Sequence, residues 1–241
     1  VGAFELRIWT YWEGPLSAFQ AICLGSISRF FGSSHVHLTP ETLTDYIEVP
    51  DWVLTQDRAM NRADYFRAAL LAKYGGWWFD ADFLLWKDPF HLVGNSTKTW
   101  RSKYVGSRRM PLISTIWVPL PGDSWVLRTL ELLSERRDRK HPPHHPMIAY
   151  ADAYDEVGDV ELGGWREFYS VPMSHWESLW DGSVKLDAAA VGVHSWWNAI
   201  RDDGRYSTLS SVEAVKKAAP DSLFAHHSQW ARQDILEKSC G

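Results

Sequence analysis

Asp80 and Asp82 stand one residue apart in Gly75-Gly76-Trp77-Trp78-Phe79-Asp80-Ala81-Asp82-Phe83-Leu84-Leu85-Trp86, a stretch that is otherwise apolar. Two carboxylates this close repel, and removing each from water is costly unless a positive charge compensates. A divalent cation meets that need. Hard oxygen donors suit Mg2+ or Mn2+, which keep coordination positions open for phosphate oxygens, so the chemistry indicated is the binding of a metal diphosphate. A chain this rich in Asp contains a D-x-D by chance, usually as a solvated turn. What lifts this pair above chance is Arg62-Ala63-Asp64-Tyr65-Phe66-Arg67, which sets another acid and a guanidinium one helix upstream. Arg67 has the forked donor set that fits a phosphate or a sugar hydroxyl.

The elements that must position these groups are legible as punctuation. Asn61 reads as an N-cap, with Asp64 in the first turn at the positive end of the helix dipole, and the helix runs to about Tyr74. Gly75 is expected in a left-handed conformation that ends it, and Gly76 lets the chain reverse. Phe66, Ala69 and Leu70 fall on an inward stripe, while Asp64 and Arg67, three apart, share another side. Residues 77–86 read as one strand, with Trp78, Asp80, Asp82, Leu84 and Trp86 on a common face. Residues 4–14 read as a first strand, 17–31 as a helix and Ser34-His35-Val36-His37-Leu38 as a second strand. A short helix follows, capped by Thr39 with Pro40 at its first position. Further strands are expected around 103–105 and 114–118, a helix near 124–137, and a loop over 138–146.

Strand, helix, strand, helix is an α/β beginning. The string Arg62-Ala-Asp-Tyr-Phe-Arg67, a helix, then Gly-Gly-Trp-Trp-Phe-Asp-Ala-Asp82 resembles the DXD sugar-nucleotide site of glycosyltransferases. The likeness is to capsular polysaccharide synthesis proteins and globotriaosylceramide synthase-like α-galactosyltransferases. Arg7-Ile-Trp-Thr-Tyr-Trp-Glu-Gly-Pro15 resembles that group's first strand, and Val191-Gly-Val-His-Ser-Trp-Trp-Asn198 its C-terminal His-x-Trp-Asn segment. The resemblance implies a GT-A-like, Rossmann-type mixed sheet flanked by helices, in a single domain over 1–241. Residues 1–100 would form its nucleotide-sugar half and residues 101–241 its acceptor half. It implies a metal-dependent, retaining transfer of a hexose from a UDP-sugar to an acceptor hydroxyl. Asp64, Arg67, Asp80 and Asp82 would be catalytic; Trp9, Thr10, Trp12, Asp64, Arg67, Asp80 and Asn198 would hold the nucleotide sugar, with Trp9 or Trp12 stacking the base. Asp80, Asp82 and His194 would bind Mn2+ or Mg2+, with His226-His227 as rivals for the histidine. The chain departs from the pattern at Asn61-Arg62, where Ala or Ser is commoner, and at Trp77-Trp78-Phe79, which puts the donor sugar in question.

Bulk properties exclude some classes. The 241 residues, 45% hydrophobic, can bury a sizeable core. The net charge of −5 argues against general nucleic-acid binding. Cys23 and Cys240 have no metal or redox spacing. No apolar run approaches the roughly 20 residues of a membrane span. The location expected is cytoplasmic, bacterial or viral-host, or else Golgi lumenal where an N-terminal anchor has been removed, which a start at Val1 allows. The 15 tryptophans also allow a carbohydrate-binding module, which would not need the four charged residues together. A D-x-D phosphatase fits poorly, since Phe83-Leu84-Leu85 follows Asp82 in place of a small Gly/Thr segment. The histidines of His141-Pro-Pro-His-His-Pro146 read as a loop over the site more readily than as a zinc site. Arg101, Lys103, Arg108 and Arg109 read as a solvated basic run.

Overall fold

The first strand, β1 (Ile8–Tyr11), is buried at all four positions, as the interior of a sheet covered on both faces requires. The structure, a computed structural model, describes residues 5–101, 111–137 and 146–232. The strand expected at 103–105, the basic residues Lys103, Arg108 and Arg109, the histidines at 141–145, and Cys240 lie outside the described residues.

The strands are β1, β2 (His35–Leu38), β3 (Gly76–Phe79), β4 (Phe83–Leu85), β5 (Lys98–Trp100), β6 (Leu112–Val118), β7 (Glu161–Gly163) and β8 (Gly192–His194). Six form one sheet in the order β2-β1-β3-β6-β5-β7, and β4 pairs with β8 separately. β1 runs parallel to β2 and β3, while β6 is antiparallel to both β3 and β5, so the sheet is mixed. The helices are α1 (Ala18–Phe31), α2 (Pro40–Leu43), α3 (Asp51–Leu54), α4 (Ala59–Tyr74), α5 (Ser124–Glu135), α6 (Pro146–Val157), α7 (Ser178–Asp181), α8 (Trp197–Asp203), α9 (Val212–Ala218) and α10 (Leu223–His226). The class is the expected one, α/β with a mixed sheet flanked by helices.

Strand alternation distributes the aromatics. Trp9 and Trp78 point into the core shared with Phe66, Leu70, Ile116, Trp125 and Tyr150. Ile8, Trp77 and Phe79 point the other way, toward Ile27, Trp100 and Phe168. A third cluster joins Phe19 and Ile22 of α1 to Leu84, Trp180, Val193 and Phe224. Trp9, Trp77, Trp78, Trp100, Trp125 and Trp180 are all fully buried. The tryptophan count is therefore largely a matter of core volume.

Three local expectations need correction. Asn61 is not the cap of α4: the helix starts three residues earlier, at Ala59 with Arg58 at the cap position and no side-chain cap bond, which leaves Asp64 beyond the first turn. Gly75 does close it, at φ 63, but with ψ −155 the conformation is not the left-handed helical one. Gly76, at φ 96, passes so close to the Arg7 carbonyl oxygen that a Cβ would sit 2.2 Å from it. Only glycine fits there, and the parallel approach of β1 and β3 depends on it. Finally, residues 77–86 are not one strand. The chain leaves the main sheet after Phe79, turns at Asp80–Asp82, and enters the two-stranded sheet as β4.

Candidate active site

The turn between β3 and β4 carries the two aspartates. Asp80 N–H donates to the Ser114 carbonyl at 2.8 Å, which extends the β3–β6 pairing by one residue, and Phe83 N–H donates back to the Asp80 carbonyl at 3.1 Å. The carboxylates thus converge through a tight turn where two sheets diverge, rather than through strand alternation. On the other side, the antiparallel register sets Phe83 opposite His194, one residue past Asp82. Ser195 N–H continues that ladder to the Asp82 carbonyl at 3.1 Å, and the Ser195 hydroxyl donates to the same oxygen.

Asp80, Asp82 and His194 each offer a ligand atom within 4.8 Å of the others. His194 Nε2 lies 3.2 Å from Asp82 Oδ1 and 3.9 Å from Asp80 Oδ2. The other Asp82 oxygen, Oδ2, accepts Trp197 N–H at 2.8 Å. Asp80 Oδ1 accepts two bonds, from Arg67 Nη2 at 2.6 Å and Trp78 Nε1 at 2.8 Å. Arg67 Nη1 donates to Asp64 Oδ1 at 2.5 Å, and its guanidinium lies 5.0 Å from the Trp78 ring. Asp64, Arg67, Asp82 and His194 are buried, and Asp80 is half-buried.

The electrostatics follow from this wiring. Burial works against a charged Arg67, yet Asp80 and Asp64 raise its pKa above the ordinary value. Burial likewise opposes ionisation of Asp82, but His194 and the Trp197 N–H bring its pKa below normal. Burial opposes a charged His194 too, and Asp82 more than offsets it, so its pKa is raised. Three carboxylates face one guanidinium, leaving a formal surplus of two negative charges when His194 is neutral. Two oxygens and one imidazole nitrogen with that surplus suit a divalent cation.

The other expected residues are spread more widely. Trp9 is fully buried, donates its indole N–H to the Gly75 carbonyl at 2.9 Å and packs against Tyr46 and Tyr74, so it has no face for a base. The Thr10 side chain is also fully buried, hydrogen-bonded to His35 at 2.9 Å and His37 at 3.0 Å, and is closed to a ligand. Trp12 is half-buried, with its ring edge to face on Trp197 at 5.5 Å. Asn198 is exposed on α8, its amide 3.8 Å from Met60 Sδ at the start of α4. Neither histidine of the 226–227 pair joins the cluster. His226 is exposed, and His227 stacks on Trp230 at 4.2 Å, where burial, His226 and Arg29 push its pKa down to about 4.

Sequence reasoning passed over Trp78 as the second donor to Asp80, the backbone N–H of Trp197 on Asp82, and Tyr169, whose ring lies 5.9 Å from His194. Only Trp78 left a signal, its spacing of two from Asp80.

A glycosyltransferase, GlyE of Streptococcus pneumoniae TIGR4 in its apo form, superposes with a TM-score of 0.54 at 12% identity, over 97% of this chain and 62% of that one. The fold is that of the GT-A glycosyltransferases. A structure described as the PaToxG glycosyltransferase matches this GT-A fold with a TM-score of 0.50 at 12% identity, over 98% of this chain and 86% of that one. Residues 4–101, which contain β1, α4 and the Asp80–Asp82 turn of the fold, match the model of the capsular polysaccharide synthesis protein family. A search of curated proteins finds no match. Among the described residues, no helix of this GT-A fold is long and apolar enough to cross a membrane.

Proposed function

We propose that the protein is a metal-dependent, retaining glycosyltransferase that moves a hexose from a UDP-sugar to an acceptor hydroxyl. The observation that carries this reading is the convergence of Asp80, Asp82 and His194, with Arg67 and Asp64 beside them. A bound Mn2+ or Mg2+ on those three side chains would neutralise the diphosphate charge that develops as the leaving group departs.

The rest is the work of the chain. Arg67, held charged between Asp64 and Asp80, fixes the Asp80 carboxylate; in this reading Asp64 and Arg67 would orient the sugar hydroxyls. The Trp197 N–H and His194 hold Asp82 ionised at neutral pH. Trp12 remains as the base platform once Trp9 and Thr10 are placed in the core. In the reaction, the acceptor oxygen bonds to the anomeric carbon as its bond to the phosphate oxygen breaks. The electron pair leaves with the diphosphate, which takes the acceptor's proton. Residues 1–100 would serve the donor and 101–241 the acceptor, within one domain. The burial of seven of the fifteen tryptophans, and the convergence of the four charged residues that a binding module would not need, work against that alternative.

The test is a panel of UDP-hexoses incubated with the protein and Mn2+, then with EDTA, with UDP release as the readout. Slow release from one donor, abolished by EDTA and by the Asp80→Asn/Asp82→Asn double variant, is the expected outcome. Release that persists in the double variant would sink the assignment.

A further inference from the structure

Tyr169 is 1% exposed, and its hydroxyl oxygen is buried with no hydrogen-bond partner. A buried polar group left unpaired gives up its hydration without compensation, so such groups are rare in folded proteins and each calls for an explanation. Phenylalanine would fill the same space without that penalty. The segment carrying Tyr169 is firmly held. The Glu167 and Phe168 carbonyls accept Val191 N–H and His194 N–H, each at 3.0 Å, so residues 167–168 lie beside β8 on the side away from β4, and Tyr169 N–H donates to the Trp165 carbonyl at 2.8 Å. Two residues on, the Val171 carbonyl accepts the indole N–H of Trp196 at 2.8 Å, a residue whose backbone is left-handed at φ 61 and ψ 52. The Tyr169 ring is packed among His194 at 5.9 Å, Phe83 at 6.0 Å and Trp196 at 6.1 Å.

The hydroxyl end belongs to the Asp80 side of the cluster. Ser114, whose carbonyl accepts Asp80 N–H at 2.8 Å, has its side chain beside the phenol without completing a hydrogen bond to it. Burial pushes the phenol's pKa well above its ordinary value and the Asp80 carboxylate adds to the rise, while Ser114 and Arg67 oppose it. Asp80 in turn has an oxygen to spare. Its Oδ1 accepts from both Arg67 and Trp78, whereas Oδ2 takes no hydrogen bond from the described residues and lies 3.9 Å from His194 Nε2.

We propose that Tyr169 is a positioning residue for the cation site, its hydroxyl donating to Asp80 Oδ2 when a divalent ion is bound. This rests on the metal-dependent reading above. Arg67 and Trp78 fix one oxygen of the carboxylate, and the phenol fixes the other, so that Asp80 is presented to the ion in a single orientation. A hydroxyl donating to a carboxylate makes a strong, charge-assisted bond. The metal-free protein carries the penalty of an idle hydroxyl, and the loaded protein recovers it. A tyrosine kept for packing and one kept for the ion therefore differ in sign: removal of the oxygen weakens the fold in the first case and strengthens the metal-free fold in the second.

The experiment compares the unchanged full chain with Tyr169→Phe, which deletes the oxygen and keeps the ring. In EDTA the variant is expected to melt about 2–4 °C higher. In a calorimetric titration it is expected to bind Mn2+ about tenfold or more weakly. The change is then repeated in an Asp80→Asn chain, where the remaining Mn2+ affinity is expected to move by no more than about twofold, because the residue through which Tyr169 acts is already altered. A lower melting temperature in EDTA would mark a tyrosine kept for packing and overturn the proposal. So would Mn2+ binding unmoved by Tyr169→Phe, or a full further loss in the Asp80→Asn chain; each of these leaves the metal-dependent reading standing. If the unchanged chain binds no Mn2+, that reading falls and the proposal falls with it.

Discussion

Asp80 and Asp82 are chemically identical and one residue apart, yet they live in different surroundings. Asp80 is half-buried and tied to the N-terminal side of the site, one oxygen taking both Arg67 and the Trp78 indole. Asp82 is buried and tied to the C-terminal side, by His194 and the Trp197 N–H. The first is neutralised by a permanent cation, the second by a group that titrates. A cation arriving at the cluster would thus meet one carboxylate already shared with a guanidinium and another whose charged partner, His194, can lose its proton. On that ground Asp82 would be the stronger anchor for a metal and Asp80 the more adjustable one.

The comparison can be broken most forcefully at Arg67. Replacing it with Met leaves Asp64 and Asp80 packed together without their guanidinium, and a loss of about 3–5 kcal/mol in denaturant-measured stability is expected. Next in size is the contrast between the two acids. Asp82→Asn is expected to weaken Mn2+ binding by about a hundredfold or more in calorimetry, and Asp80→Asn by clearly less. Equal losses would erase the distinction.

The third prediction concerns pH. Since the pKa of His194 is raised above 6.5, its proton competes with the metal even near neutrality. Mn2+ affinity should fall as pH drops through that raised value, approaching about tenfold per pH unit. Metal-free stability should show the opposite sense. The His194–Asp82 contribution is fully present below pH 6.5 and is lost as pH rises through the folded-state value of His194. Asp82, whose pKa is lowered, contributes above its ordinary value of 3.8, and that share vanishes only as pH falls through its depressed value. Melting curves with and without Mn2+ from pH 5 to 9 would test both signs. The smallest effect expected on the metal is that of Trp78→Phe, which removes one hydrogen bond to Asp80 and leaves a gap at a fully buried ring; it should cost about 2 kcal/mol of stability while leaving Mn2+ binding nearly intact.

Much of the N-terminal side was legible because its determinants are local. The Gly75-Gly76 stop, the three-residue spacing of Asp64 and Arg67, and the capping of α2 by Thr39 all act within a few residues. The strand break at Asp80 was not legible, because Phe83-Leu84-Leu85 is as apolar as Trp77-Trp78-Phe79 and only the pairing with β8 tells them apart. Trp9 was misread for a related reason: alternation fixes that it points opposite to Ile8, but which face carries α4 is a property of the whole sheet. His194 entered through resemblance alone. The Trp197 N–H had no sequence signal, because a backbone donor made available by a left-handed residue is set by conformation and not by side-chain type.

The β4–β8 pairing has a consequence for how the protein reaches and leaves its native state. It joins segments so far apart that Ser195 bonds to Asp82 across 113 positions of sequence, and closing so long a loop is entropically expensive and slow. A cation held by Asp80, Asp82 and His194 would act as a removable staple on that closure. It would contribute nothing until the two strands had met and would then resist their separation. Chelation should therefore accelerate unfolding far more than it slows refolding, so that an ion bound there would also set the lifetime of the folded chain.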